Sequence, residues 1–385
     1  MDALARLLRD APSLTDGSVT ALWARSGIDH LVGHDSESPR IPAAAIGITS
    51  LVSVCERVLG QRCSEYLGQR AAINQARHRG QTSCGGASRL LATRDGWVCL
   101  SLARADDVAM LPALLCPLLP IIEMDSLVFR ECAALDEVFD AIAPLVGSVE
   151  ASDLVSQAAL LGMACSRVGE ITTHSIGIDA RQIALGVGPT APRTLIDLSS
   201  MWAGPLCAKL VGDCCRVAVT KVESTSRPDG ARIGPRQFWD SLHAGHSHVS
   251  IDFATAAGRT QLRELIAVAD IVVEGSRPRA LQQLGIDREE LVADYPKLWL
   301  TIAGYPRSAG TDRAAFGDDA AAAGGLVTWL AGTPMFLGDA LADPLTGIAG
   351  AAALVDCINL GGSWILDAAM SAICAHAHDI GQGHQ

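Results

Sequence analysis

Between Arg193 and Ala303 short apolar runs alternate with helix-patterned stretches, and this alternation constrains the fold more than any other feature of the chain. Strands are expected at Leu195–Leu198, Val217–Val222, Val249–Ile251, Asp270–Glu274 and Leu298–Ala303, with helices near Leu206–Val211 and over Ala256–Ala269. Such a series predicts an α/β fold, a largely parallel Rossmann-like sheet with helices on both faces. Ligands in these sheets sit beyond the carboxyl ends of the strands, so the loops that follow the strands are where chemistry is to be sought. The series begins only halfway along 385 residues.

The first half has a different texture. Ala43–Leu59 carries helical periodicity, and Leu90–Ala103 reads as strand, Arg-Asp-Gly turn, strand, a hairpin signal. Helical segments are expected over Asp106–Cys116, Phe129–Ile142 and Ser152–Leu161, the last with Ser152 as N-cap, and a Gly/Pro-rich linker over Ala184–Pro192. Beyond the parallel series, Leu345–Ile358 and Ile365–Ala375 read as helices. The expected organisation is residues 1–85 as helices packing on the large domain, 86–185 as a smaller α+β domain, and 193–385 as the large Rossmann-like domain.

Composition narrows the function. A net charge of −12 with scattered arginines argues against nucleic acid as partner. The most apolar stretch, Val108–Ile122, is short and broken by Pro112, Pro117 and Pro120, so no membrane span is expected, and the N-terminus lacks a secretory apolar core; the chain reads as cytoplasmic. The twelve cysteines follow no framework or zinc-ligand spacing, so neither disulfides nor a metal is expected.

Five segments place polar or flexible residues where a strand ends: SSMWAGP (Ser199–Pro205), KVESTSRPDGAR (Lys221–Arg232), EGSRPRALQQLGID (Glu274–Asp287), AFGDDAAAAGGL (Ala315–Leu326) and LGDALADPLTG (Leu337–Gly347). Together with LIDLSSMWAGP, AGHSHVSIDF, ADIVVEGSRPRALQQLGI and TIAGYP, in that order and at similar spacing, they resemble the family III CoA-transferases, a family that includes formyl-CoA transferase and α-methylacyl-CoA racemase. RDGWVCLSL (Arg94–Leu102) and LLGMACSRV (Leu160–Val168) resemble that family's smaller domain, which normally follows the Rossmann-like part. Here they precede it, so the segment order looks permuted, or cut from the middle of a tandem copy.

The resemblance implies an interlaced homodimer acting on acyl-CoA and a carboxylic acid, with coenzyme A carried as substrate and no metal. An aspartate of a Gly-Tyr-Asp element is the family's nucleophile, attacking the thioester to form a mixed anhydride and then an aspartyl-CoA thioester. Gly317-Asp318-Asp319 matches that element without a gap at Asp319, while the doubled carboxylate leaves Asp318 open as the alternative. An Asp opening an Ala-rich helix is also an ordinary N-cap. Arg277 matches a family arginine near the bound CoA, and Arg279, Lys221 and Arg232 are further candidates for its phosphates, since Arg grips phosphate bidentately; Lys221 could equally pair with Glu223. Ser200, Trp202 and Ala203 lie in the turn whose N–H groups could polarise the thioester carbonyl. Asp343, with Asp339 before it, matches a family segment where a hydrogen-bonding role is expected. Gly245-His246-Ser247-His248 stands where relatives carry Gly-Lys-Arg-Ser, which weakens phosphate attraction there and reads as polar surface rather than a metal site. An α-methylacyl-CoA racemase and an inactive CoA-binding subunit are the alternatives to a transferase.

Overall fold

The computed structural model describes residues 1–9, 14–32, 42–119, 134–184, 188–189, 191–276, 278–295, 297–307 and 313–383. Strands β1 (Ser88–Thr93), β2 (Gly96–Ser101) and β3 (Ala164–Arg167) form a small antiparallel sheet. The large sheet takes β4 (Ile178–Ala184), β5 (Thr194–Asp197), β6 (Ala218–Ser224), β7 (Ser247–Ile251), β8 (Ile271–Glu274) and β9 (Leu298–Ala303). A hairpin, β10 (Val327–Leu330) and β11 (Thr333–Phe336), follows, and β12 (Ser363–Ala369) returns to the large sheet. Its order is β4-β12-β9-β8-β5-β6-β7, parallel throughout except for β4, which runs antiparallel along β12 at the edge.

The expected α/β architecture is present, and all five strands read from the alternation are in the sheet. β4 lies within the segment read as the smaller unit, yet it belongs to the large sheet. Three readings are corrected. Ile365–Ala369 belongs to β12, and the helix begins only at Met370, running to Gln382; a continuous apolar run buried on both faces does not reveal its period. The helix expected from Asp106 is confined to Leu111–Leu115, because Pro112 is tolerated only in a helix's first turn. The helix Ala151–Leu161 starts one residue early, with Glu150 at the N-cap and the Ala151 N–H donated to Asp95 rather than capped by Ser152. Phe129 lies outside the described residues, and the helix there is Leu135–Val146. Of the linker, Ala184 is the last residue of β4.

Helix Ala43–Leu59 packs on helix Met370–Gln382 and on helix Ala342–Leu360, so residues from both ends of the chain share the largest hydrophobic core. Backbone contact makes this possible: a Cβ on Gly47 would collide with the carbonyl of Ala377, and one on Gly381 with the carbonyl of Ala43. A second core lies between the small sheet and helices Leu135–Val146 and Ala151–Leu161. The helix Gly317–Ala323 sits between the two, packed on β2, β3 and helix Met370–Gln382. No helix among the described residues is long and apolar enough to cross a membrane.

Candidate active site

The turn after β5 is tied from below by buried charge. Asp197 accepts the Ser199 N–H at 2.9 Å and the Ser199 hydroxyl. Lys221, on β6, has no exposed surface; its ammonium donates to the Ser199 carbonyl and stands 3.0 Å from Asp229 and 3.5 Å from Asp197. Asp229 in turn accepts the N–H of Met201 and of Ala231, each at 2.9 Å. Met201 is held at φ 71, a left-handed conformation that a side chain adopts only under constraint. Lys221 is therefore a fixture of the turn with no surface open to a phosphate, and its partners are Asp197 and Asp229 rather than Glu223.

Helix Gly317–Ala323 presents its first turn to the small sheet. Asp319 is fully buried and caps the start of its own helix, accepting the Phe316 N–H at 2.7 Å. Its neighbour Asp318 is half-buried and accepts the Ala340 N–H at 3.0 Å. Each also meets a hydroxyl from the hairpin: Ser88 stands 3.3 Å from Asp318, and Ser101 stands 3.3 Å from Asp319. The two serines are cross-strand partners, with their oxygens 2.8 Å apart. Burial pushes both carboxyls up, Asp318 to about 6 with the charge of Asp339 adding to the effect, and Asp319 to about 8 despite the Phe316 N–H.

Arg70, from helix Tyr66–Asn74, enters this acidic cluster and grips Asp339 with two bonds of 2.8 and 2.5 Å. Its guanidinium lies over the Trp202 ring, 4.7 Å from the centroid. Burial works against its charge, but Asp339, Asp343 and Asp318 hold its pKa above the ordinary value. Asp343 accepts the Ala203 N–H and is pushed up to about 7, chiefly by burial, against the pull of Arg70. Its carboxylate also fills the space beside Gly317, where an added Cβ would collide with it and with the Ala340 carbonyl.

The structure thus brings Asp318, Asp339, Asp343, Trp202 and Ala203 together around Arg70, with Asp319 next to Asp318. The turn's N–H groups at Ser199, Met201 and Ala203 are already committed to Asp197, Asp229 and Asp343, and Ser200 is exposed. Arg277 lies outside the described residues, and Arg279 lies on helix Pro278–Gln283. Arg232 is held by Glu223 at 2.9 Å and stacks on Trp239, 3.9 Å from the ring centroid. Of the histidines, His248 is exposed and His246 half-buried, whereas His243 is buried against Trp239 and burial pushes it down to about 3. Among the described residues no group of side chains has the makings of a metal site, and no histidine bonds to Asp318 or Asp319.

Sequence reasoning missed Arg70, Ser88 and Ser101. Arg70 has no motif around it. The serines had one available signal, since the Arg-Asp-Gly turn fixes a register that sets Ser88 opposite Ser101.

Residues 192–358 match the family described as CoA-transferase family III. The chain is 30% identical over 175 residues to an acyl-CoA transferase of Fusarium pseudograminearum, covering 40% of this chain and 38% of that protein. It is 30% identical over 141 residues to the succinyl-CoA–D-citramalate CoA-transferase of Chloroflexus aurantiacus, covering 34% of this chain and 35% of that one. A CAIB/BAIF family protein from Brucella suis aligns with a TM-score of 0.43 at 26% identity, over 49% of this chain and 55% of that one. The chain thus spans little more than a third of the length of these two curated relatives. From its match and from the order of its strand-end segments, the stretch 192–358 belongs to CoA-transferase family III.

Proposed function

We propose that the protein is an acyl-CoA:carboxylate CoA-transferase in which Asp318 is the nucleophile. The observation that carries the assignment to Asp318 is the division of labour at the helix start: Asp319 is spent on capping its own helix with no exposed surface, while Asp318 keeps an open side. In this reading the ionised Asp318 attacks the thioester carbonyl, forming an acyl-aspartyl anhydride and expelling CoA thiolate. The thiolate attacks the aspartyl carbonyl, releasing the first carboxylate and leaving an aspartyl-CoA thioester. The acceptor carboxylate reverses both steps, so atoms and charge balance without net proton uptake. Lys221 is too buried to serve, so the CoA phosphates fall to Arg277 and Arg279, with Arg232 at the edge. Residues 1–85 and 86–185 complete the fold around residues 193–385, and the family's homodimer and a cytoplasmic setting are carried over as part of the same reading.

Intact-mass spectrometry after incubation with a panel of acyl-CoAs tests this. A CoA-sized adduct cleaved by hydroxylamine is expected in the wild type, lost in Asp318→Asn and formed with an altered pH profile in Asp319→Asn. Loss in Asp319→Asn alone would move the nucleophile to Asp319. CoA binding without any adduct would leave a binding protein in place of a transferase.

A further inference from the structure

The hairpin hydroxyls and the two adjacent aspartates form one unbroken line: Asp318 Oδ2, Ser88 Oγ, Ser101 Oγ, Asp319 Oδ1. Its central link is 2.8 Å and its outer links are 3.3 Å, long in the way that catalytic hydrogen bonds are before substrate tightens them. The Ser88 hydroxyl has no other described partner, and that of Ser101 meets only the Cys99 thiol, whose own hydrogen stays on sulfur and supplies none of these links, so the hydrogens can be counted. Three links need three hydrogens, and two hydroxyls supply two. With both carboxylates ionised, each hydroxyl would turn outward to an anion and the two serine oxygens would face each other lone pair to lone pair. One carboxyl proton completes the line. A second would be left without a place in it.

We propose that Asp318 and Asp319 share a single proton, relayed between them by Ser88 and Ser101, with Asp319 as its resting holder. Transfer is balanced: Asp319 Oδ1 gives its hydrogen to Ser101, Ser101 passes its own to Ser88, and Ser88 passes its own to Asp318 Oδ2. Three features favour Asp319 as the resting holder and outweigh the Phe316 N–H that its Oδ1 accepts at 2.7 Å. It has no exposed surface; its second oxygen, Oδ2, is buried and finds no hydrogen-bond partner among the described residues; and the guanidinium of Arg70 faces Asp318, Asp339 and Asp343. Tyr305, Cys99, Cys165 and Cys84 also face the pair and are neutral in their burial, and Arg313, behind Tyr305, is spent on Glu170, the Tyr305 hydroxyl and the Cys165 carbonyl. The line therefore leaves Asp318 anionic at neutral pH, as the nucleophile requires, and keeps the Ser88 hydroxyl pointed at the oxygen that becomes the aspartyl carbonyl. Ser88 and Ser101 are positioning residues in this scheme. The proton count stands on geometry alone; the catalytic use of it rests on the reading of Asp318 given above.

The test needs no acyl-CoA. Carbon-13 NMR of the full chain labelled at the aspartate carboxyl carbons, with Asp318→Asn and Asp319→Asn assigning the two signals, reads protonation directly. One protonated carboxyl is expected at neutral pH, belonging to Asp319. Ser101→Ala should move both titrations by a pH unit or more, while Ser101→Thr, which keeps the hydroxyl, restores them; thermal melts confirm that each variant is folded. Two ionised carboxylates at neutral pH would overturn the proposal, as would titrations that Ser88→Ala and Ser101→Ala leave in place. Failure to form a CoA adduct would count against the transfer chemistry and leave this result untouched.

Discussion

Arg70 shows at the scale of a single residue how far the site depends on a position with no motif. Its guanidinium faces three carboxylates, Asp318, Asp339 and Asp343, and its bond to Asp339 is nearly sealed from water, with the two side chains 20% and 4% exposed. Removing one partner of such a pair strands the other, which costs about 3–5 kcal/mol. Arg70→Met should lower the urea midpoint accordingly, and Arg70→Met/Asp339→Asn should recover much of the loss; equal midpoints for wild type and Arg70→Met would show that the pair contributes nothing. The aspartates were legible because Gly317-Asp318-Asp319 resembles the family's Gly-Tyr-Asp element; on spacing alone they read as an ordinary helix cap. The arginine was not, since only the packing of helix Tyr66–Asn74 brings it into the cluster.

Elements were legible where a period could be counted. Helix Ala43–Leu59 was read to its end residues from its helical repeat, and strand β9 likewise as a short apolar run bounded by polar and turn residues. β4 and the hairpin β10–β11 were not anticipated, being short and supported by pairing partners distant in sequence or by an Ala-Gly turn that few patterns announce. The contact between helices Ala43–Leu59 and Met370–Gln382 was equally hidden, for it turns on what Gly47 lacks. A methyl there meets a backbone carbonyl that cannot step aside. Gly47→Ala should destabilise the protein by about 1–3 kcal/mol or more, although alanine is the better helix former, because overpacking outweighs propensity. Chemical denaturation measures it, and a stabilised Gly47→Ala variant would show that the two helices have room to part.

The whole molecule carries its acidic centre as a pH-dependent load. For Asp318, Asp319 and Asp343 the folded pKa is raised above the unfolded value, so each contributes stability in its protonated form, fully present below about pH 4 and lost as pH rises through about 6, 8 and 7 respectively. His243, pushed down by burial, works the other way below its ordinary value of 6.5. Comparing wild type with Asp319→Asn isolates one carboxyl from these opposing trends. Their difference in unfolding free energy should move against the wild type between about pH 4 and 8, by up to about 1.4 kcal/mol per pH unit. A difference independent of pH would mean that Asp319 titrates like a surface carboxylate.

The shared core has one more consequence, and it concerns synthesis. Helix Ala43–Leu59 finds its apolar partners in helices Ala342–Leu360 and Met370–Gln382, which leave the ribosome roughly 15–60 s later at about 5–20 residues per second. For that interval only the helices before it, Ala3–Arg9 and Asp16–Ser26, are there to cover part of its apolar face. The nascent chain must either be escorted or keep its first helices unformed, and the strand series from β5 to β9 is built before the segments that will seal it.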